Sequence, residues 1–145
     1  MMYFTGEGLE KLTKEQLKVI RENPNSFNWE LITYYDFLSE DLIREFQDYI
    51  DWYHLSYIQT LHEPFIREFI NKVHLYECFY AQKLSENFIR DFAVYNNKSY
   101  WDIISNRQNL SKEFIIEFID KINFYALVLN ANISQEVKDY CRMFI

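Results

Sequence analysis

Apolar residues fall along this chain in a pattern that recurs six times. Aligning Leu12, Leu38, Leu61, Leu84, Leu110 and Ile133, which lie 26, 23, 23, 26 and 23 residues apart, brings Thr13, Ser39, His62, Ser85, Ser111 and Ser134 into register. Four, five and eight positions after each anchor the residue is apolar, except for Gln16 and Lys138 in the end copies. Self-similarity at a period of about 20 to 50 residues marks an array in which one unit cannot bury its apolar face alone.

The copy from Asp51 to Val73 shows how a unit is built. Trp52, Leu55 and Ile58 or Gln59 are three to four apart and predict one face of a short helix A, which Asp51 would cap; Asn28 and Asn123 stand at the same point of other copies. The Ser/Thr column then opens a helix B, with acids such as Glu40, Asp41 and Glu86 in its first turn, and Phe65, Ile66, Phe69 and Val73 form a broad apolar stripe. Pro64 falls in the first turn of helix B, where a missing N–H costs nothing. Helix A should have about eight residues and helix B about eleven, both below the roughly 12 to 15 at which a lone helix is even marginal in water. Stacking must hold them.

The expected fold is therefore all-α: a solenoid of short helix-turn-helix repeats forming a single domain over 1–145. Units begin near 28, 51, 74, 100 and 123, with an N-terminal cap over 9–27 and degenerate ends. The two longer spacings place three extra residues in the turn from helix B to helix A, within 21–28 and within 93–100. Trp29, Trp52, Leu75, Trp101 and Phe124 open helix A as a bulky column. Because Trp52 has neighbours on both sides, Trp52→Ala is expected to cost more stability than Trp29→Ala.

Written as Asn/Asp-Trp-x-x-Ile/Leu-x-x-x-Gln-x-Leu-Ser-x-x-Phe-Ile-Arg-Glu-Phe, the unit resembles short tandem repeats in proteins of giant DNA viruses and some phages. The likeness rests on Trp52, Gln59, Leu61 and Phe65 to Phe69, on Gln82 and Leu84 to Phe92, and on Gln108 with Leu110 to Ile115. It covers about Asn28 to Phe124 and implies a viral origin and a helical repeat, with no activity attached. His62 in place of the capping serine, Leu75 in place of tryptophan and Asp36 in place of glutamine depart from it.

Composition narrows the functional classes. The 145 residues are 49% hydrophobic and 26% charged, enough for a core and a wet surface. Only two glycines are present, Gly6 and Gly8, so nothing later could cradle a phosphate or form a nucleophile elbow. No run approaches the roughly 18 apolar residues of a membrane span, and Met1 to Glu7 lacks the features of a signal peptide. These features, with Cys78 and Cys141 in apolar helical columns, point to the cytoplasm of a host cell. A formal charge of −7, from 15 basic and 22 acidic residues, disfavours nucleic acid, including base-by-base reading of RNA.

No catalytic, cofactor or metal residue is indicated: His54, His62 and His74 share no ligand spacing, and paired acids such as Glu40 and Asp41 sit at helix starts, where capping explains them. The chain is not expected to be an enzyme. Tyr34, Tyr57 and Tyr80 occupy one position of helix A, and Tyr53, Tyr76 and Tyr125 another; tyrosine offers a rigid body with a polar tip and is enriched at interfaces. Arg44, Arg67 and Arg90 form a column beside Glu45, Glu68, Asp91 and Glu117, which reads either as ion-pair ladders between neighbouring units or as a charged stripe for a partner. Tyr34, Tyr53, Tyr57, Tyr76, Tyr80, Glu45, Glu68, Asp91 and Glu117 are accordingly the candidate contact residues. The leading expectation is a protein-binding module that modulates a host protein. The alternatives are an acidic inhibitor of a defence nuclease acting by nucleic-acid mimicry, and a self-assembling repeat protein seeded by the apolar tail Met143-Phe144-Ile145.

Overall fold

A computed structural model describes residues 10–93 and 97–145. The lead-in Met1 to Leu9, with Gly6 and Gly8, and Val94 to Asn96 of the second insertion lie outside the described residues. The chain is mostly helical and groups into two compact units, 1–74 and 75–145, with the division between the cap residue and the first helical residue of one copy. No helix among the described residues is long and apolar enough to cross a membrane.

The first unit opens with a short strand β1 (Glu10–Lys11) and α1 (Lys14–Glu22). Thr13 and Gln16 form a capping box, each side chain bonding the other's backbone N–H, at 3.1 and 2.7 Å. This explains why Gln16 breaks the apolar pattern. Residues 24–26 of the first insertion make a single 3-10 turn. Helix A then appears as α2 (Trp29–Tyr35), followed by β2 (Asp36–Phe37) and helix B as α3 (Glu40–Glu45); α4 (Trp52–Ile58) and α5 (Glu63–Glu68) repeat the pair. β1 and β2 pair in parallel, Glu10 opposite Asp36 and Lys11 opposite Phe37, both just before an anchor leucine.

The second unit holds α6 (Leu75–Ala81) and α7 (Glu86–Phe92), α8 (Lys98–Arg107) and α9 (Lys112–Glu117), and α10 (Phe124–Val128) and α11 (Gln135–Cys141). Helix B is shorter than its apolar stripe suggests. It has six or seven residues in α3, α5, α7 and α9, and in three copies a turn continues the stripe: the amides of Ile50, Val73 and Ile122 bond the carbonyls of Phe46, Phe69 and Phe118 at 3.2, 3.0 and 3.1 Å. The second insertion differs from a lengthened turn. Asn97 caps α8 and accepts from the Tyr100 amide, so its last residues become helix and α8 has ten residues where α2, α4 and α6 have seven.

The anchors Leu38, Leu61, Leu84, Leu110 and Ile133 are buried, as are Ile43, Phe65, Ile66, Phe88, Ile89, Phe114 and Ile115 of helix B. Cys78 and Cys141 are fully buried and neither is in a disulfide among the described residues; burial pushes the Cys141 thiol up. Trp29 is 8% exposed whereas Trp52 is half-buried, so burial argues for the opposite of the stability ranking expected from their positions in the array. Each ring packs on the phenylalanine that ends the following helix B, Trp29 on Phe46 at 4.9 Å and Trp52 on Phe69 at 5.0 Å, and each indole N–H donates to the carbonyl five residues back, Pro24 or Gln47.

Helices usually end on a glycine with positive φ. Every cap residue whose angles are described has negative φ, and helix A ends by passing into extended chain at Asp36, Gln59 and Gln108. The carbonyls left over are taken by a buried amide from the next copy. Gln59 Nε2 donates to Thr33 O and Asp36 O at 3.1 and 2.7 Å while its Oε1 accepts from the Leu38 amide at 3.2 Å. Gln108 does the same to Phe79, Gln82 and Leu84 at 2.6, 2.9 and 3.2 Å, and Asn130 donates to Ser105 and Gln108 at 2.9 and 2.8 Å. These amides are at most 3% exposed. A buried carbonyl left unpaired costs about 1 to 3 kcal/mol, so the glutamine column does what glycine caps do elsewhere.

A second buried link uses helix A hydroxyls. Thr33 and Ser56 donate back to the carbonyls of Trp29 and Trp52 and accept from the amides of Asp51 and His74 at 3.4 and 2.9 Å; Ser105 accepts from Asn123 at 3.0 Å. Within each unit, Thr33 and Ser105 therefore pin the start of the next helix A, α4 and α10.

Candidate interaction surface

The exposed side of helix A in the first unit is an aromatic cluster. Tyr34, Tyr35 and Tyr53 are 41, 42 and 46% exposed, and Tyr57 is half-buried. Tyr35 packs on Tyr34 at 4.8 Å, and the other three rings meet around two histidines: Tyr34 lies 5.6 Å and Tyr53 5.4 Å from His54, Tyr57 lies 5.7 Å from His54 and 5.6 Å from Tyr53, and Tyr53 meets His74 at 5.4 Å. Most of these pairs are edge-to-face, as ring quadrupoles favour. The histidines were absent from the sequence-based contact set, although His54 follows Tyr53 and His74 stands at the cap of the next copy.

Asp51 holds this cluster in place. One carboxylate oxygen accepts from the Tyr53 and His54 amides at 3.1 and 3.2 Å, and the other lies 2.6 Å from His54 Nδ1. Burial opposes its ionisation, but the His54 ring and these amides together hold its carboxyl below the usual range. The structure also brings Glu30 to this pair, with a donor atom of Glu30, Asp51 and His54 all within 4.8 Å of one another, a juxtaposition that sequence spacing did not reveal. Both Asp51 oxygens are already engaged in capping and in orienting the imidazole, and this accounts for the grouping.

The acidic candidates sit in ladders. Arg21 grips Glu45 with Nε and Nη2 at 2.5 and 2.8 Å; Arg44 grips Glu68 and Arg90 grips Glu117 through the same edge, with closest contacts of 2.8 and 2.6 Å. In each pair the hydrogen bond to the guanidinium holds the glutamate carboxyl below its ordinary value and raises the arginine. The same two guanidinium groups, Arg44 and Arg90, cover the rings of Phe65 and Phe114 at 5.1 and 5.0 Å. Asp91 is exposed on α7. The ion-pair alternative is thus the arrangement of Glu45, Glu68 and Glu117.

In the second unit Tyr76 and Tyr80 are 40 and 44% exposed. Tyr80 lies under a cation: the Arg107 guanidinium carbon is 3.9 Å from its ring centre. Both residues line an open groove of about 920 Å³ that runs over the loops after α6 and α8 to the start of α11. Arg107 was not a sequence candidate. Its signal was there: relative to the anchor it shares a column with Tyr35, Ile58, Ala81 and Asn130, in which it is the one charged residue.

Comparison with protein families, with curated proteins and with solved structures returned no match.

Proposed function

We propose that this protein is a helical-repeat interaction module, a solenoid-type scaffold whose aromatic helix A surface binds and modulates a host protein of a virus or phage. The observation that carries this reading is the cluster of Tyr34, Tyr53 and Tyr57 around His54, with Tyr35 packed on Tyr34 and three of the four tyrosines more than 40% exposed. Half-exposed tyrosines held rigid by their neighbours lose little conformational entropy on contact and supply apolar area with a polar tip. The recurrence of the same buried amide and hydroxyl links from copy to copy supports a stacked-repeat scaffold. Nothing in this reading requires catalysis.

The nucleic-acid mimic draws less support, because Glu45, Glu68 and Glu117 are each neutralised by an arginine. Self-association has one favouring observation: Leu129, Met143 and Ile145 of the second unit are 77, 78 and 50% exposed. Capture from host lysate with the wild-type chain and with Tyr53, Tyr57, Tyr76 and Tyr80 together changed to Ser tests the main reading. One protein retained in stoichiometric amount by the wild type and lost from the variant is expected; equal retention by both would refute the aromatic contact surface. Light scattering at high concentration checks self-association, for which the expected result is a concentration-dependent mass.

A further inference from the structure

We propose that the groove over Arg107 binds the carboxylates of an extended acidic peptide segment, with Arg107 and Lys83 as the charges that select it. Arginines in this protein are otherwise spoken for: Arg21, Arg44, Arg67, Arg90 and Arg142 each pair with a carboxylate. Among the described residues Arg107 is the only arginine whose guanidinium has neither an ion pair nor a hydrogen bond, and its Nε is buried with no acceptor. A guanidinium that is half-buried and stacked on Tyr80 has lost part of its hydration and most of its rotamer freedom, which is the state in which it gains most from a carboxylate.

The site is built rather than incidental. The Gln108 amide fixes Tyr80 from both sides, through the carbonyls of Phe79 and Gln82, and Asn132 Nδ2 holds the Arg107 carbonyl at 2.6 Å. Ring and cation are therefore set by the same buried links that join the copies. Lys83 is exposed in the groove wall and pairs with no carboxylate among the described residues. The one acid in the wall, Glu86, is already engaged by the Ser111 amide at 2.6 Å and lies 4.0 Å from Arg90. A chain of net charge −7 thus presents a groove whose uncommitted charges are both positive.

The ligand class follows from shape and charge. A groove of about 920 Å³ open along one side, with the amide side chains of Asn109 and Asn132 on its wall, suits an extended backbone better than a single small ion. Arg107 and Lys83 can each meet a carboxylate, and the Glu86 carboxylate in the wall disfavours a dianion more than singly charged groups spread along a chain. This inference rests on the reading of the protein as a protein-binding module and specifies a second contact chemistry for it.

The test uses the full chain labelled for amide NMR, titrated with N-acetyl tetraglutamate amide, with the uncharged tetraglutamine analogue and with inorganic phosphate. Tetraglutamate is expected to shift the amides of Lys83, Asn109, Ser111 and Asn132, and tetraglutamine to leave them in place. Arg107→Gln should weaken tetraglutamate binding by about tenfold or more; Lys83→Gln, on an exposed side chain that cannot disturb folding, should weaken it by less. Equal shifts from both peptides, unchanged affinity in Arg107→Gln, or a response to phosphate alone would overturn the proposal. Loss of groove binding with retained, tyrosine-dependent capture of a host protein would refute the groove and leave the module standing.

Discussion

In the first unit Gln59 reaches back to bond Thr33, Asp36 and Leu38; in the second Gln108 does the same for Phe79, Gln82 and Leu84, with distances that agree within about half an ångström. Arg44 grips Glu68 and lies over Phe65 as Arg90 grips Glu117 and lies over Phe114. On their outer surfaces the units part company. The first gathers Tyr34, Tyr53 and Tyr57 around His54, whereas the second sets Arg107 on Tyr80 above a polar groove. Repetition is close at the buried glutamine carboxamides, where helix-end carbonyls would otherwise be orphaned. It relaxes where water can satisfy whatever side chain is placed there.

The sharpest way to separate burial from array position is the tryptophan pair. Trp29→Ala should cost about 3 to 5 kcal/mol by urea denaturation, as expected for a buried large aromatic, and Trp52→Ala less, because its ring is half-buried. The opposite order would mean that neighbours on both sides matter more than burial.

Next come the amide clamps. Gln59→Leu and Gln108→Leu keep the volume and strand two carbonyls and one N–H in each unit, and each should lose on the order of 3 kcal/mol. A large loss for one and a negligible loss for the other would break the equivalence of the two interiors.

The smallest effect is the acid response of the ladders. Since the folded carboxyls of Glu68 and Glu117 lie below their ordinary value, their contribution to stability is present above the usual carboxylate range near pH 4.3. It is lost as pH falls through the lower folded value. Glu68→Gln and Glu117→Gln should each flatten the acid limb of a stability-against-pH curve, by similar amounts, and high salt should mimic them. A flattened limb for one alone would show that the two ladders are unequal.

Much of this was legible beforehand. Helix starts were, because Asn28, Asp51, Ser39, Ser85, Asn123 and Ser134 all bond the amides that their column implied. The helix A tyrosines read from sequence either as core packing or as an exposed stripe; those at 34, 53, 76 and 80 are exposed and Tyr57 is half-buried. Helix B length was overestimated because an apolar stripe continues through a turn as readily as through a helix. The second insertion reads from spacing as part of the turn between helix B and helix A, yet the Asn97 cap makes Lys98 and Ser99 helix.

What the amino-acid sequence determined alone is the periodic skeleton: which residues face inward, where each helix begins, and that short helices must lean on their neighbours. These are local properties, set by spacing, capping and chain entropy. Tertiary structure decided which acid each arginine meets, that Gln59 and Gln108 end helices which contain no glycine, that Asp51 gathers histidine among tyrosines, and that Arg107 meets no acid among the described residues. The ion pairs and the glutamine links depend on residues about 20 to 30 positions apart meeting within hydrogen-bond range, and only folding supplies that proximity.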